Sequence, residues 1–300
     1  MRLPPGRGAR AGIAAGILVA LAVVPAVVLL RGDGPNEPAA SSPSASVSTA
    51  QTSPSATTTA PPAPTGSSTP GTAPPPPATT SATSTPGTPG SLRGRDVTVL
   101  PTTRHVVALT FDAGGDAAGL QSILRTLAAE NVRATFFLTG RWVAANPGGV
   151  SAVIAGGHRI GNHSVSHPHV TALSTAQITA EVLGAQSTIR SAGADPRPLF
   201  RFPFGDRDAR TIAAVNALGY VAVSWTVDTL GWEGTAGGMS AQRVADRALA
   251  GLRPGEIVLM HVGANPDDGT TFDADALPAV IHRMRAAGYG FVTLDALLGS

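Results

Sequence analysis

An α/β fold, arranged as a distorted (β/α) barrel of about seven units, is predicted for residues 96–300, and three observations predict it. Apolar runs of strand length alternate with segments of helical periodicity along the whole stretch. All thirteen aromatic residues lie at or beyond Phe111, so the bulk that a core needs is confined to this part of the chain. Its 205 residues are also enough for one sizeable core.

Taken in order, Val106–Phe111 is a continuous apolar run and reads as a strand covered on both faces. Leu120, Ile123, Leu124, Leu127 and Ala128 follow at helical spacing. Ala134–Leu138 is the second strand, Val150–Ala155 a short helix and His158–Ile160 a brief third strand. Ser174 and Gln177 have the spacing of a capping box, opening a helix that turns Ile178, Val182 and Ile189 inward. Leu199–Phe202, a helix around Ile212–Leu218, Tyr220–Val227 and a helix over Ser240–Leu252 continue the alternation. Glu256–Met260 and Gly290–Leu294 are the last strands, joined by a helix over Leu277–Ala287. Seven such units suit a barrel better than an open parallel sheet, which is the alternative.

The first 95 residues have a different character. Ala11–Leu30 is a run of twenty residues without a charge, behind Arg2, Arg7 and Arg10. Twenty helical residues match a hydrocarbon layer about 30 Å thick. Residues 11–30 are therefore expected to be a transmembrane signal-anchor and residues 1–10 a basic cytoplasmic N-terminus, with the rest of the chain exported. A cleaved signal peptide, giving a secreted protein, is the alternative. Residues 31–95 are expected to be a disordered linker, because fourteen Pro lie between Pro35 and Pro89 amid Ser, Thr, Ala and Gly.

Composition excludes several chemistries. With no Cys there is no disulfide framework, thiolate metal site or cysteine nucleophile. All 21 basic residues are Arg. Residues 1–95 carry a balance of +4 and residues 96–300 one of −2, so the folded part is not expected to bind nucleic acid. It is expected to act as a monomer.

Function in a barrel of this kind gathers at the C-terminal ends of the strands. Those ends carry Asp112 and Asp116, His163 and His167, Arg201, Asp228 and Trp232, and His261. His163 and His167, four residues apart, would share one face of a helical turn and could grip one divalent metal. A carboxylate is needed to complete such a site, and Asp112 and Asp116 are the candidates. Two imidazoles and a carboxylate leave positions open on zinc or a similar ion, which would activate water and polarise a carbonyl. A further carboxylate as base and a His as acid would complete a metal-assisted hydrolysis of an amide or ester. His105, His158, His169 and His282 are read as structural or exposed.

Thr110-Phe-Asp112-Ala-Gly114, His163-Ser-Val-Ser-His167, Arg201-Phe-Pro-Phe-Gly205 and Leu259-Met-His261 together resemble the ordered motifs of the polysaccharide deacetylases, the NodB-homology enzymes of carbohydrate esterase family 4. The resemblance spans roughly residues 104–297. It implies Asp112 as catalytic base, His163 and His167 as metal ligands, Arg201 as the partner that orients the base, and His261 as general acid. It further implies that the Phe204 backbone N–H meets the oxyanion and that Leu259 lines a pocket for the acetyl methyl. Two positions depart from the pattern. Ala113 stands where the family has a metal-ligand Asp, so either Asp116 swings in or Asp112 takes the ligand role. Gly231 stands before Trp232 where the family often has an acid, leaving Asp228 as the nearest carboxylate to tune His261 or pair with Arg201.

The resemblance implies a metal-dependent N-deacetylase acting on N-acetylhexosamine units of a cell-envelope glycan, peptidoglycan or chitin-like oligomers, with zinc or cobalt as cofactor. A catalytically silent glycan-binding module and a metal-dependent O-acetyl esterase are the alternatives.

Overall fold

The computed structural model describes residues 90–299. The apolar run 11–30 and residues 31–89 of the expected linker lie outside the described residues. Among the described residues no helix is long and apolar enough to cross a membrane.

The described residues begin with a short 3-10 turn at Gly90–Leu92 and strand β1, Asp96–Val97. There follow β2 (Val106–Ala113), α1 (Leu120–Ala129), β3 (Thr135–Leu138), α2 (Gly140–Ala145), α3 (Pro147–Ala155), β4 (Arg159–Asn162) and α4 (Thr175–Ser191). The second half runs β5 (Leu199–Phe200), α5 (Ala209–Ala217), β6 (Val221–Val223), β7 (Val227–Asp228), α6 (Ala241–Ala250), β8 (Glu256–His261), α7 (Phe272–Ala286) and β9 (Gly290–Phe291). The strands form one sheet in the order β1-β6-β5-β4-β3-β2-β8-β7, with β9 beside the start of β2, and every pairing is parallel. Helix-connected parallel strands in this curled order fit the distorted barrel. β2 lies inside the sheet between β3 and β8 and is buried over its whole length, as its nearly unbroken apolar run requires.

Two differences from the sequence expectation shape the site. The run Tyr220–Val227 is not one strand. It pairs with β5 as β6, changes partner over Ser224–Thr226, and resumes beside β8 as β7. The segment after β1 fills the seam this leaves: the Ser224 N–H donates to the Val97 carbonyl (2.9 Å), Thr226 Oγ1 to the Thr98 carbonyl (2.6 Å), and the Leu100 N–H to the Gly255 carbonyl (2.8 Å). The expected linker boundary at residue 95 is also too late. Leu92 is buried in a cluster with Val97, Leu100 and Leu199, and the Gly94 N–H donates to Asn216 Oδ1 at 2.7 Å, so residues 90–95 belong to the folded body.

Local signals account for most helix starts. Ser174 Oγ accepts from the Gln177 N–H while Gln177 Oε1 accepts from the Ser174 N–H, which is the expected capping box. Helix α2 has too few apolar positions to announce itself. It is opened by Thr139, whose hydroxyl accepts from the Trp142 N–H, and it buries Trp142.

Candidate active site

Strand register gathers the candidate residues. On neighbouring strands Asp112 pairs with Phe137 of β3 on one side and with His261 of β8 on the other. The Arg201 N–H donates to the Asn162 carbonyl, and the His163 N–H to that of Leu138, so both follow directly on strand ends. The result is a cavity of about 520 Å3 lined by Asp112, His163, His167, Asp228, Leu259 and His261, with Phe204 and Trp232 at its margin.

Arg201 is 0% exposed, an extreme burial for a guanidinium, and every polar contact it makes is accounted for. Nη1 donates to Asp112 Oδ1 (2.8 Å) and to Thr110 Oγ1 (2.9 Å), Nη2 to the Ser224 carbonyl (3.0 Å), and Nε to the Val223 carbonyl (3.3 Å). Its flat face lies 4.2 Å above the Phe137 ring. The two carbonyls it uses are those that the partner change between β6 and β7 frees from the ladder. Burial would push the Asp112 carboxyl up, but Arg201, aided by His163 and His261, holds it below the usual Asp value. Asp112 is therefore a buried carboxylate that stays ionised.

His163 and His167 lie in a bend, not on a helical turn. Ser164 (φ 67°) and His167 (φ 61°) adopt left-handed backbone conformations, and the two rings meet edge to face at 4.8 Å. Glu181 of α4 fixes this bend: Oε2 accepts the Val165 and Ser166 N–H groups, and Oε1 accepts the Ser166 hydroxyl. Asn162, fully buried, adds a bond from the Ser164 N–H to its Oδ1. His163 Nδ1 is 2.9 Å from the Arg201 carbonyl, which fixes the tautomer with Nδ1 protonated and turns an unprotonated Nε2 toward Asp112 Oδ2, 3.4 Å away. Burial lowers the pKa of both imidazoles, His167 to about 4 with help from His163, so both are neutral at pH 7.

Asp116 is not brought to the histidines. Its Oδ1 accepts the N–H groups of Ala118 (2.8 Å) and Ala264 (3.0 Å), tying the loop after β2 to the loop after β8. One oxygen of Asp116 thus holds loop backbone, and Asp112 is the carboxylate that lies beside His163. Among the described residues no three His, Asp or Glu side chains form a closed metal cluster. The donor chemistry nevertheless fits a divalent cation, since two neutral imidazoles and an ionised carboxylate face one cavity.

His261 takes its partner from an unexpected place. Asp273, in the first turn of α7 and 3% exposed, accepts the His261 N–H at 2.8 Å and lies 3.4 Å from His261 Nδ1, an ion-pair distance. Burial alone would lower the His261 pKa, but Asp273, with Asp112 and Asp228, carries it above the ordinary value. Asp228 faces the cavity and accepts the Leu230 N–H at 2.9 Å, and burial raises its pKa. No hydrogen bond joins it to Arg201 or His261, and it acts on His261 through its charge. The signal that could have revealed Asp273 is the acidic first turn of a helix beginning at residue 272 instead of 277.

Phe204 (φ 58°, 60% exposed) stands in a left-handed turn at the cavity margin, stacked on His169 at 4.3 Å and edge-on to His167 at 4.4 Å. Trp232, 48% exposed, lies 6.3 Å from the His261 ring, and its carbonyl accepts Asn265 Nδ2 at 2.8 Å. Leu259 is buried in the cavity wall.

The chain is similar to several known proteins. Residues 100–223 match the family described as polysaccharide deacetylase. The peptidoglycan-N-acetylglucosamine deacetylase PgdA of Listeria monocytogenes is 33% identical over 211 residues, which are 70% of this chain and 42% of that protein. The chain thus spans less than half the length of that relative. A peptidoglycan-N-acetylglucosamine deacetylase of Bacillus cereus is 31% identical over 198 residues, 66% of this chain and 70% of that one. The chitooligosaccharide deacetylase of Bradyrhizobium sp. is 35% identical over 163 residues, 54% and 73% of the two chains. Among solved structures, the Bc1960 peptidoglycan N-acetylglucosamine deacetylase superposes with a TM-score of 0.63 at 28% identity, covering 70% of this chain and 96% of its own. A Bacillus anthracis protein described as a family 4 carbohydrate esterase pseudoenzyme superposes at 0.62 with 26% identity, covering 69% and 70%. A cavity at the strand ends that unites Asp112, two imidazoles and His261, with Arg201 buried behind Asp112, together with relatives at this identity and coverage, places the chain in the polysaccharide deacetylase family, carbohydrate esterase family 4.

Proposed function

We propose that the protein is a hydrolase that removes N-acetyl groups from N-acetylhexosamine units of a cell-envelope polysaccharide, peptidoglycan or chitin-like oligomers. The observation that carries this reading is a pair of titrating groups pushed in opposite directions on adjacent strands of one cavity. Arg201 holds the Asp112 carboxyl below the usual Asp value, and Asp273 carries the His261 imidazole above the usual His value.

In this reading Asp112 accepts the proton of the water that attacks the acetamide carbonyl, and Arg201 keeps its oxygen aimed into the cavity. The C–N bond then breaks, His261 donates its proton to the departing amine, and acetate and a free amine are the products. The Phe204 N–H serves the oxyanion, Leu259 receives the acetyl methyl, and Trp232 offers its exposed ring to the sugar. His163 and His167 would hold a divalent cation, zinc or cobalt, beside Asp112, and when bound it supplies Lewis-acid polarisation of the acyl carbonyl. Without a carboxylate at Ala113, such a cation is held less tightly than by three protein ligands. The uncharged run 11–30 is proposed to anchor the chain in the cytoplasmic membrane, with the Pro-rich stretch carrying the domain outward to the wall glycan.

A second reading, a catalytically silent glycan-binding module, is favoured by Ala113 together with the turned-away Asp116 and by the pseudoenzyme neighbour. One experiment separates the two. Acetate release by the purified full chain is followed on N-acetylglucosamine oligomers, peptidoglycan and O-acetylated oligosaccharides, after chelation and after return of zinc or cobalt. Metal-restored release from the N-acetylated substrates is expected. Release only from O-acetyl esters would change the bond cleaved. No release from a folded protein that retains neither cation would establish the silent module.

A further inference from the structure

The site contains one charged group that its sequence motifs do not provide. Asp273 lies at the second position of α7, where a carboxylate ordinarily serves the exposed N–H groups of its own helix. Here it does not. It is 3% exposed, and its two oxygens reach away from α7: Oδ1 accepts the Thr229 hydroxyl at 2.6 Å, and Oδ2 accepts the backbone N–H of His261 at 2.8 Å and lies 3.4 Å from the buried His261 Nδ1, which has no other polar partner and makes no hydrogen bond of regular geometry.

A second, independent observation concerns Gly231, directly before Trp232. A Cβ built on Gly231 would fall 2.5 Å from Asp273 Oδ1, 2.6 Å from its Cγ and 2.9 Å from Oδ2. The backbone of Gly231 is not in the left-handed region, and the three atoms nearest to such a Cβ all belong to the Asp273 carboxylate. Positions 231 and 273 thus compete for one space next to His261, and this chain fills it from the helix.

We propose that Asp273 is the positioning residue of His261, holding its imidazole with Nδ1 protonated and Nε2 toward the cavity, and that Gly231 is kept bare to admit it. The same carboxylate could be supplied from position 231, so the two positions form an exchangeable pair. Asp228 does not duplicate the role, because its Oδ1 is engaged by the Leu230 N–H. The charged groups that act on His261 are then Asp273 from α7, Asp112 from β2 and Asp228 from β7. This inference rests on the deacetylase reading for its consequence in turnover, but not for the geometry of the imidazole.

The test compares the full chain with Asp273→Ala, Gly231→Asp/Asp273→Ala and Gly231→Ala/Asp273→Ala. The two readouts are the 15N signature of the His261 imidazole and, where the parent releases acetate, kcat and KM. Asp273→Ala should lose the Nδ1-protonated signature and lower kcat about a hundredfold, with KM little changed. Gly231→Asp/Asp273→Ala should regain the signature and most of the turnover, and Gly231→Ala/Asp273→Ala, which fills the space without a carboxylate, should regain neither. A purely structural Asp273 would be rescued equally by both doubles or by neither, and either result overturns the proposal, as does a wild-type signature in Asp273→Ala. If the Ala variants do not fold, near-isosteric Asp273→Asn with Gly231 unchanged is compared with the parent instead, and an Nδ1-protonated signature and kcat like the parent's overturn the proposal. A parent without acetate release would defeat the deacetylase reading and leave the NMR comparison to judge the pair.

Discussion

Replacing Arg201 by Met probes the most committed group in the molecule. The substitution keeps an apolar side chain of similar reach over Phe137 but removes four hydrogen bonds. Two of them leave the carbonyls of Val223 and Ser224 without their donors at the seam between β6 and β7, and one leaves the buried Asp112 without its counter-ion. Stranding one partner of a buried ion pair costs about 3–5 kcal/mol, a large share of a domain stability of roughly 5–15 kcal/mol. The loss should depend on pH in a defined sense. In the parent, Asp112 has a lowered pKa and contributes stability that is present above the unfolded value near 3.8 and disappears below it. In Arg201→Met the burial of Asp112 acts unopposed by Arg201, its pKa rises, and the variant is penalised most at neutral pH, where the carboxyl must ionise without its partner. The gap between parent and variant should therefore narrow as pH falls from 7.5 toward 4.5. Urea unfolding at several pH values measures it, and Arg201→Met/Asp112→Asn completes a double-mutant cycle in which removal of the charge recovers part of the loss. A destabilisation below about 1 kcal/mol, or one equal at every pH and untouched by Asp112→Asn, would refute the account of a buried pair.

Two other predictions follow from groups outside that pair. Asp116→Ala should leave cation affinity unchanged in a metal titration, yet lower stability by about 1–2 kcal/mol, because the N–H groups of Ala118 and Ala264 lose their acceptor; a weakened cation would return Asp116 to the metal site. Glu256, fully buried at the start of β8, has its pKa pushed up to about 7 by burial. Its folded value exceeds its unfolded one, so its contribution is favourable at acid pH and is lost as pH rises through 7. Glu256→Gln should thus melt with the parent at pH 5 and above it at pH 8, and equal melting at both would show that Glu256 is neutralised by other means.

Much of the fold was legible because its strands are buried on both faces. Val106–Phe111 and Ile257–Met260 are largely apolar runs, and they lie in β2 and in its neighbour β8. Tyr220–Val227 looked like another such run, yet it changes partners at Ser224. Local composition does not carry that information, since the break depends on which strands lie to either side and on the segment after β1 that fills the seam. The catalytic constellation was readable as types at strand exits: Asp112 and His261 line one cavity, and Arg201 is buried against Asp112. Their connections were not readable. Asp116 is three residues from Ala113 along the chain, but its carboxylate is claimed by two loop amides. Asp273 is twelve residues from His261 in sequence and reaches it only because α7 starts a full turn earlier than its apolar spacing suggested.

The departures from regular strand structure and the chemistry of the site have a common origin. A strand that ran unbroken from Tyr220 to Val227 would keep the carbonyls of Val223 and Ser224 in ladder bonds, and a buried guanidinium could not be satisfied there. The partner change releases those carbonyls to Arg201, which fixes the charge state of Asp112. The same shift sets β7 beside β8, in register from Val227 with Val258 to Asp228 with Leu259. Thr229 and Gly231 consequently emerge over the end of β8, where Thr229 grips Asp273 and the bare Gly231 leaves room for it. One interruption in one strand thus fixes the carboxylate on one side of the cavity and frames the imidazole on the other. Restoring continuity at the seam should therefore disturb both groups together, although Asp112 and His261 belong to different strands.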